Sequence, residues 1–223
     1  MNLNIVNLGK MEYTKALDIQ KKLQQKRIDG EIDDTFLLVE HYPVLTMGLR
    51  GKDNNVLVAQ SILDEAGIKT VWIKRGGDVT YHGPGQMVGY PIINITQSKF
   101  GVKAFVNNIQ ETFVSFLLEE YGIIATKQSG VHTGVWVDNK KVTAIGIAIN
   151  KSVSMHGFAF NINTNLMHFD YINPCGLGYG MVTSLQKIVG HEIDFDKACK
   201  KVVESFCRAF DAKPRFMSLE ELL

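Results

Sequence analysis

The chain has 223 residues, of which 45% are hydrophobic, and 24 Lys and Arg against 23 Asp and Glu leave a net charge of +1. This balance excludes a global attraction for nucleic acid or an anionic membrane, so any charged partner must be met by a local patch. No apolar run is long enough for a membrane span, the N-terminus lacks the pattern of a secretory signal, and three cysteines are too few for a disulfide framework. We therefore expect one domain over residues 1–223, soluble, reduced and cytoplasmic.

The first half of the chain predicts two helices among short strands. Hydrophobic spacing indicates helices over Tyr13–Arg27 and Ala59–Ala66, the second stopped by Gly67. Thr35–Glu40 is typical of a buried strand, and the segment HYPVLTMGLRG, which contains Pro and Gly, is expected to be an ordered loop or an edge strand. Further strands are predicted over Thr70–Lys74, Val79–Tyr81 and Met87–Ile95.

The second half predicts a long helix, a strand meander and a final helix. The long helix spans Val102–Tyr121, with apolar residues three and four apart and Gly122 as its stop. The segments VHTGVWVDN, KKVTAIGIAIN and SVSMHGFAFNIN follow as three strands joined by tight turns. A loop-rich segment, Thr164–Val182, then leads to a helix over Asp194–Phe210. Helices separated by antiparallel strands predict an α+β fold.

The stretch RGGDVTYHGPGQ, residues 75–86, holds four glycines and a proline between two predicted strands. Glycine lets a ligand approach the backbone closely, but it costs conformational entropy on folding. A plain hairpin needs only one or two such residues, so the excess predicts a ligand site. The stretch matches neither GxGxxG nor GxxxxGK[ST], which argues against a dinucleotide or a phosphate loop.

The segment NPCGLGYGMVTSL places Cys175 in a loop between Pro174 and Gly176. A cysteine is most often a small buried apolar residue, and Cys199 and Cys207 on the last predicted helix fit that role. Cys175 has no periodic apolar face beside it, and its backbone offers amide donors to a developing oxyanion. No second Cys or His lies at ligand spacing, so no metal site is predicted. The residue types alone leave a structural cysteine and a nucleophile equally open.

Lys141 also has two interpretations. Lys140 occupies the predicted turn, and Lys141 opens the apolar strand that follows it. Composition favours a solvated turn lysine for both positions. A lysine at the mouth of a well-buried strand is, however, placed to enter a pocket.

The remaining polar candidates are weaker. His82 and His156 are each typical of structural, hydrogen-bonded histidines, and His82 is the better candidate because glycines surround it. Asp78 and Asp138 show no partner in the sequence, so we interpret them as surface or turn residues.

Together, RGGDVTYHGPGQMVGYPI, KVTAIGI, MHGFAFN and INPCG resemble the octanoyltransferase family, the lipoyl(octanoyl) transferases of lipoate synthesis. The resemblance extends from about His41 to Leu185. It implies the fold of the biotin and lipoate ligase catalytic domain, a mixed sheet flanked by helices. The glycine stretch and the Pro-Cys-Gly loop are specific jointly, and either alone is weaker.

The resemblance also implies an activity and a site. Octanoyl would pass from an acyl carrier protein through a Cys175 thioester to a lysine of a lipoyl domain, in 2-oxoacid dehydrogenase complexes or the glycine cleavage H protein. This is the first step of endogenous lipoate synthesis, and it needs no cofactor or metal. Lys141 is implied as the catalytic partner of Cys175. The implied substrate-binding residues are Arg75, Gly76, Gly77, Asp78, Val79, Thr80, Tyr81, His82, Ala144, Ile145, Gly146, Gly157, Phe158 and Ala159.

In this interpretation the glycines at 76, 77, 83 and 85 let the acyl chain run close to the backbone, with Leu45, Val79, Tyr81 and Phe158 as apolar lining. Carrier docking is expected at Lys99, Lys103 and Lys127. Two alternatives stay open: an ATP-dependent lipoate–protein ligase, and a non-catalytic protein that binds acyl groups or carriers on the same fold. The Pro-Cys-Gly loop argues against the first, and the presence of both Lys141 and Cys175 against the second.

Overall fold

The structure, a computed structural model, describes residues 1–98, 101–173 and 180–223. Its strands are β1 Asn2–Met11, β2 Thr35–His41, β3 Val44–Met47, β4 Lys69–Trp72, β5 Val79–His82, β6 Gln86–Ile92, β7 Thr126–Gln128, β8 Gly134–Val137, β9 Lys140–Asn150, β10 Val153–Asn161 and β11 Lys213–Phe216. Its helices are α1 Tyr13–Asp29, α2 Gln60–Glu65, α3 Val102–Tyr121, α4 Leu185–Val189 and α5 Phe195–Ala209. Short 3₁₀ turns lie at Asp53–Asn55, Gly130–His132 and Leu166–Tyr171. No helix within these ranges is long and apolar enough to cross a bilayer.

The strands form two sheets. The main sheet has eight strands in the order β11-β1-β2-β6-β10-β9-β8-β7, and the small sheet has three in the order β4-β3-β5. Strand β1 runs parallel to both β2 and β11, whereas β2, β6, β10, β9, β8 and β7 pair antiparallel along the rest of the main sheet. The mixed sheet flanked by helices confirms the predicted α+β fold.

The strongest sequence patterns correspond closely to the structure. Helix α3 has the predicted bounds and ends at Gly122, which adopts the left-handed conformation at φ 66°. The three-strand meander is present as β8, β9 and β10. Strand β3 differs from the prediction, because it is the central strand of the small sheet rather than a loop or an edge strand. Pro43 precedes its first residue, so the missing proline N–H interrupts no hydrogen bond of the strand.

The two faces of the main sheet are covered differently. Helices α3 and α5 cover one face, which we call the phenylalanine face because its buried aromatic residues are Phe36, Phe105, Phe113, Phe116, Phe158, Phe160, Phe206 and Phe210. Helix α1 covers part of the other face, where Leu23 on the helix packs with Leu37 and Val88 of the sheet. We call this second side the cavity face, since a cavity lined by residues of both sheets lies there. Along β2, Phe36 and Leu37 therefore point to opposite faces, as the two-residue period of a strand requires.

Candidate active site

A cavity of about 540 Å³ lies on the cavity face, lined by residues of both sheets and by Tyr13 at the start of α1. The lining is mainly apolar with a few polar side chains, the composition expected of a small-molecule site. Leu49, Val102 and Val131 line it and are 70%, 51% and 49% exposed, so they mark where it opens to solvent.

The structure gathers almost all of the predicted site residues around this cavity. Its wall includes Lys141, Arg75, Gly76, Gly77, Asp78, Val79, Thr80, His82, Ala144, Ile145, Gly146, Gly157, Phe158 and Ala159. Tyr81 lies elsewhere: its ring is 1% exposed and packs edge-to-face on His168 and Phe169, with centroids 4.9 Å and 5.5 Å away. Leu45 belongs to the same buried cluster. Tyr81 and Leu45 therefore pack in the core next to the cavity wall and do not line the cavity.

Lys141 is a buried side chain on the cavity wall. It is 8% exposed, and its Nζ lies 5.1 Å from the centroid of the Trp136 ring, a cation–π contact. Its neighbour Lys140 is exposed. The interpretation of Lys141 as a solvated turn lysine is therefore wrong, and the two adjacent lysines occupy different environments.

The backbone of Lys141 also connects β9 to the segment that follows Cys175. Lys141 N donates to Met181 O at 2.8 Å, and Thr183 N donates to Lys141 O at 2.9 Å. Cys175 itself lies outside the described residues, as does Lys99. Met181 stands six positions after Cys175 in the sequence. A residue close to Cys175 along the chain is thus hydrogen-bonded through its backbone to the lysine that the family resemblance implies as the catalytic partner of Cys175.

The two other cysteines, Cys199 and Cys207, lie away from the cavity. Both lie on α5 in or against the core of the phenylalanine face. Burial raises the pKa of Cys199 to about 12 and also raises the pKa of Cys207. Because the thiolate is the reactive form, these cysteines are poor nucleophiles at neutral pH, as the sequence predicts.

Arg75 places a buried guanidinium in the cavity wall. Its Nη2 donates to the carbonyl and hydroxyl oxygens of Thr46 at 2.7 Å and 3.0 Å, and its Nη1 donates to Gly76 O at 3.0 Å. Asp78, three residues on, is 7% exposed and accepts hydrogen bonds from Asn55 Nδ2 and the Val79 amide, both at 2.6 Å. The interpretation of Asp78 as a surface residue is wrong: its carboxylate holds the glycine stretch in place.

His82 is held neutral beside the cavity. Its Nδ1 lies 2.8 Å from Gln86 Oε1 and its Nε2 lies 3.4 Å from Thr46 Oγ1, and its ring stacks on Tyr13 at 5.8 Å. Burial, with a smaller effect of the neighbouring His41, lowers the pKa of His82 to about 3. His82 is hydrogen-bonded as predicted, and its role in binding stays a prediction.

The buried His41 ring packs against both Tyr13 and His82 and is itself hydrogen-bonded. His41 Nδ1 lies 2.9 Å from Met11 O and its Nε2 lies 2.7 Å from the Tyr90 hydroxyl. The ring bonded to a carbonyl at Nδ1 must donate there, so its Nε2 accepts from Tyr90. Burial lowers the pKa of His41 to about 4 and raises the pKa of Tyr13 to about 12. These groups are all neutral at physiological pH.

Several lining residues escaped the sequence prediction. Among them are Tyr13, Val88, Tyr90 and Asn161, together with the residues at the opening. Tyr13, Val88, Tyr90 and Asn161 belong to elements that the sequence assigns to helix or buried strand, where polar side chains look like packing residues. Gln86, which also lines the cavity, closes the glycine stretch that the sequence predicts as a ligand site. The available signal for the others was the presence of Tyr90 in an otherwise apolar strand that is buried throughout.

The glycines of the opening stretch divide into two groups. Gly76 and Gly77 line the cavity, and a Cβ on Gly146 would lie 2.9 Å from Gly76 O, so glycine there permits the close approach of two backbones. Gly83 and Gly85 instead contact the protein itself: a Cβ on Gly83 would lie 1.9 Å from the Tyr81 hydroxyl, and Gly85 has φ +76°. Part of the glycine excess is therefore required by internal packing and not by a ligand.

The fold defines a class of protein. The chain superposes on lipoate-protein ligase A bound with ATP with a TM-score of 0.76 at 14% identity, covering 100% of this chain and 92% of the other. A putative lipoate protein ligase from T. acidophilum with bound lipoic acid gives a TM-score of 0.73 at 15% identity, covering 100% and 93%. Biotin protein ligase from Aquifex aeolicus gives 0.53 at 12%, covering 95% and 70%. At these identities the likeness shows the fold alone, and it confirms the catalytic-domain fold of biotin and lipoate ligases.

The sequence comparisons narrow the class to a family. Residues 12–207 match the lipoyl protein ligase A/B catalytic domain. An octanoyltransferase from Caldicellulosiruptor saccharolyticus is 48% identical over 100% of this chain and 94% of its own length, and one from Alkaliphilus metalliredigens is 50% identical over 95% and 96%. The chain belongs to the lipoyl protein ligase A/B catalytic domain family, and the resemblance to octanoyltransferases noted in its motifs is confirmed.

Proposed function

We propose that this enzyme is an octanoyltransferase that moves an octanoyl group from acyl carrier protein, through a thioester on Cys175, to a lysine of a lipoyl domain. The observation that carries the proposal is the buried Lys141 on the wall of a mainly apolar cavity. The full-length similarity to octanoyltransferases supports the acyltransferase class.

The first half-reaction forms the acyl-enzyme. The Cys175 thiolate attacks the carrier thioester, its sulfur–carbonyl bond forms, and the carbonyl–sulfur bond to the carrier breaks. A free cysteine titrates near ~8.5, so few molecules carry the thiolate at neutral pH. A Lys141 ammonium at ~4 Å and an effective dielectric of ~20 would favour the thiolate by up to about 4 kcal/mol, less the cost of desolvating both groups. The departing carrier thiolate then takes a proton from Lys141.

The second half-reaction returns the enzyme to its starting state. Once Cys175 is acylated its negative charge is gone, so a buried Lys141 is stable without its proton. The acceptor amine attacks the acyl-Cys175 carbonyl, passes its proton to Lys141, and the Cys175 thiolate leaves. One thioester is exchanged for another and then for an amide, so the sequence runs downhill without ATP. Lys141 acts first as acid and then as base.

The cavity would hold the acyl chain. Burying the methylenes and methyl of an octanoyl chain at ~0.8 kcal/mol each offers roughly 5–6 kcal/mol before entropy costs. The apolar wall on which the chain would lie includes Val79, Val88, Ala144 and Ala159.

Intact-mass spectrometry tests the proposal directly. The enzyme mixed with octanoyl carrier protein in the absence of ATP is expected to gain about 126 Da, an acyl group replacing one hydrogen, and to lose it when a lipoyl domain is added. Cys175→Ala should abolish both the adduct and the transfer. Cys199→Ala and Cys207→Ala are the matched controls and should retain both. An adduct on the Cys175→Ala variant, or transfer only from free acid and ATP, would overturn the assignment; the second result identifies a ligase.

The proposed activity requires an acyl donor protein and an acyl acceptor protein. Relatives among octanoyltransferases and lipoate ligases support acyl-carrier and lipoyl-domain substrates in general. We further propose lipoyl domains of 2-oxoacid dehydrogenase complexes and the glycine cleavage H protein as acceptors, in the cytoplasm.

A further inference from the structure

His156 on β10 has two features that are costly in a folded protein, a buried ring without hydrogen bonds and a left-handed backbone. It is 2% exposed, it lines the cavity, and neither of its ring nitrogens has a hydrogen-bond partner among the described residues. Its backbone is left-handed at φ 60°, where its N–H donates to Gln20 Oε1 of α1 at 3.0 Å. Strained backbone and unpaired buried polar groups are both concentrated at functional sites. Together on a cavity wall, they mark a binding position.

The comparison with its neighbours makes His156 distinctive. His41 and His82, also buried on this side of the sheet, contact a polar partner with both ring nitrogens. The sequence grouped His156 with such hydrogen-bonded histidines, and the structure contradicts that prediction. Burial, and then the nearby Arg75 guanidinium, lowers the pKa of His156 to about 4. A neutral imidazole offers one N–H donor and one nitrogen acceptor.

The strand register places His156 at the end of the cavity away from Lys141. His156 pairs with Ile147 on β9, and Gly157 pairs with Gly146. Ile147 is six residues beyond Lys141 on the same strand, a separation of about 20 Å at ~3.3 Å per residue. The seven carbon–carbon bonds of an extended octanoyl chain, at ~1.5 Å each, span at most about 9 Å. The Lys141 side chain covers about half of the separation from Ile147, because its Cε would lie 3.4 Å from a Cβ on Gly134, and Gly134 pairs with Ala144. Ala144 is three residues from Ile147, about 10 Å at ~3.3 Å per residue. A chain with its carbonyl at the Lys141 ammonium and its tail along β9 thus ends close to His156.

We propose that His156 forms a polar subsite at the tail end of the cavity, which binds a hydroxyl group at the distal end of a medium-length acyl chain. This proposal rests on the proposed acyl transfer, because it takes the carbonyl end of the chain to be at Lys141. A hydroxyl both donates and accepts, so it pairs with whichever ring nitrogen faces the cavity. An alkyl end pairs with neither and leaves the imidazole unsatisfied.

The subsite predicts an unusual preference. In a wholly apolar tunnel, a terminal hydroxyl loses its bonds to water without replacement, so the hydroxylated chain binds much more weakly than the plain one. With His156 at the tail, the hydroxylated chain of matching length should react at least as well as the alkyl chain. The relevant quantity is the ratio of kcat/KM for hydroxyacyl carrier to kcat/KM for the alkyl carrier of equal length.

The experiment measures this ratio for acylation of the enzyme by octanoyl, 8-hydroxyoctanoyl, decanoyl and 10-hydroxydecanoyl carrier proteins. His156→Gly suits the left-handed backbone and removes the imidazole, so it should lower the ratio roughly 3- to 10-fold at the chain length whose hydroxyl reaches the subsite. His156→Asn also tolerates positive φ and keeps a donor and an acceptor, so it should lose less. Ile147→Ala, opposite His156, is the matched control: it adds space without removing a polar group and should leave the ratio unchanged.

A second readout does not depend on catalysis. With imidazole nitrogens labelled, 10-hydroxydecanoate or 8-hydroxyoctanoate should shift the His156 ¹⁵N resonances, and the alkyl acids of equal length should shift them less. A wild-type ratio well below one at both lengths, or an equal ratio in His156→Gly, overturns the subsite and leaves octanoyl transfer intact. Failure of the wild-type enzyme to form any octanoyl adduct overturns the proposed function instead, and the resonance shifts then decide the subsite by themselves.

Discussion

The two faces of the main sheet are built from alternate residues of the same strands, yet they have different contents. The phenylalanine face is closed by two helices and filled with aromatic rings, such as Phe206 stacked between Phe36 and Phe210 at 4.3 Å and 4.2 Å. The cavity face holds a buried arginine, a buried lysine and three neutral histidines. Buried polar groups are expensive unless something pairs with them. The difference therefore separates the side of the sheet that stabilises the fold from the side on which we propose that the chemistry takes place.

The largest effect should come from Lys141 on the cavity face. Lys141→Ala is expected to slow both half-reactions by about 10²- to 10⁴-fold, the range for loss of a general acid and base. It should also raise the pH at which Cys175 reacts with iodoacetamide. Lys140→Ala, the adjacent exposed lysine, should behave like the wild type. Normal transfer by Lys141→Ala would remove the lysine from the mechanism.

Lys141→Arg separates the two roles of that side chain. A guanidinium keeps the positive charge but does not release its proton near neutral pH. Enzyme acylation should therefore survive in part, while transfer to the lipoyl domain fails. Pre-steady-state mass spectrometry of the acyl-enzyme distinguishes the two steps.

The phenylalanine face should respond to mutation in stability and not in chemistry. Phe206 is 0% exposed, and Phe206→Ala is expected to lower the free energy of unfolding by about 3–5 kcal/mol. Because the side chain belongs to the core of the phenylalanine face, kcat/KM per folded molecule should stay near the wild-type value at temperatures where the variant is folded. Urea unfolding measures the free energy of unfolding, and an assay at low temperature measures kcat/KM. A catalytic defect larger than the folded fraction explains would contradict the division between the faces.

The cavity face should make stability depend on pH. The folded pKa values of His41, His82 and His156 are lowered to about 4, 3 and 4, against an ordinary value near 6.5. Below that ordinary value the unfolded chain binds more protons than the folded one, so stability is complete above about pH 6.5 and falls as the pH falls. At pH 5 each histidine should lower the free energy of unfolding by up to about 2 kcal/mol. Urea unfolding at pH 7 and pH 5 checks this.

The matched variants for the pH experiment are His82→Gln and the exposed His191→Gln. His82→Gln should reduce the pH dependence of the unfolding free energy, and His191→Gln should leave it unchanged. An unfolding free energy that is equal at the two pH values would show that these histidines are not held neutral.

The smallest effect concerns carrier docking. Lys103 follows Val102 at the opening of the cavity, whereas Lys127 is engaged by Glu111 at 2.5 Å and Asn107 at 3.0 Å. Lys103→Ala should raise the KM for carrier protein about 2- to 5-fold at low salt, an effect of up to ~1 kcal/mol that disappears at high salt. Lys127→Ala should change it less. A KM that does not vary with salt would exclude electrostatic docking.

The sequence predicted elements well where local periodicity and long-range packing agree. Helix α3 has a strong apolar face and a glycine stop, and its bounds were predicted correctly. Strand β1 was missed, because the segment NLNIVNLGKM mixes polar and apolar residues and becomes a strand by parallel pairing with β2 and β11, which lie far away in sequence. Such pairings depend on tertiary contacts that a local window does not contain.

The site was predictable to the extent that its residues share short motifs. The stretch Arg75–His82 and the strands β9 and β10 supply most of the cavity wall, and the family resemblance named them. Tyr13 comes from α1, where nothing local distinguishes it from a packing residue, whereas Tyr90 stands out only as a polar residue in the buried strand β6. The unpaired ring of His156 was also invisible, because whether an imidazole has a partner is decided by three-dimensional packing and not by its neighbours in sequence.

The order of the main sheet also bears on how the protein avoids self-association. Its two outermost strands, β7 and β11, have three and four residues, and all four residues of β11, Lys-Pro-Arg-Phe, are exposed. An open sheet edge is a template for a further strand from another molecule, and short, charged or proline-bearing edges are the usual protection. Pro214 has no N–H to offer, and Lys213 and Arg215 carry like charges that repel a second copy of the same edge. The short, charged outer strands of the main sheet thus disfavour edge-to-edge pairing between molecules, which is the route to fibrous aggregates.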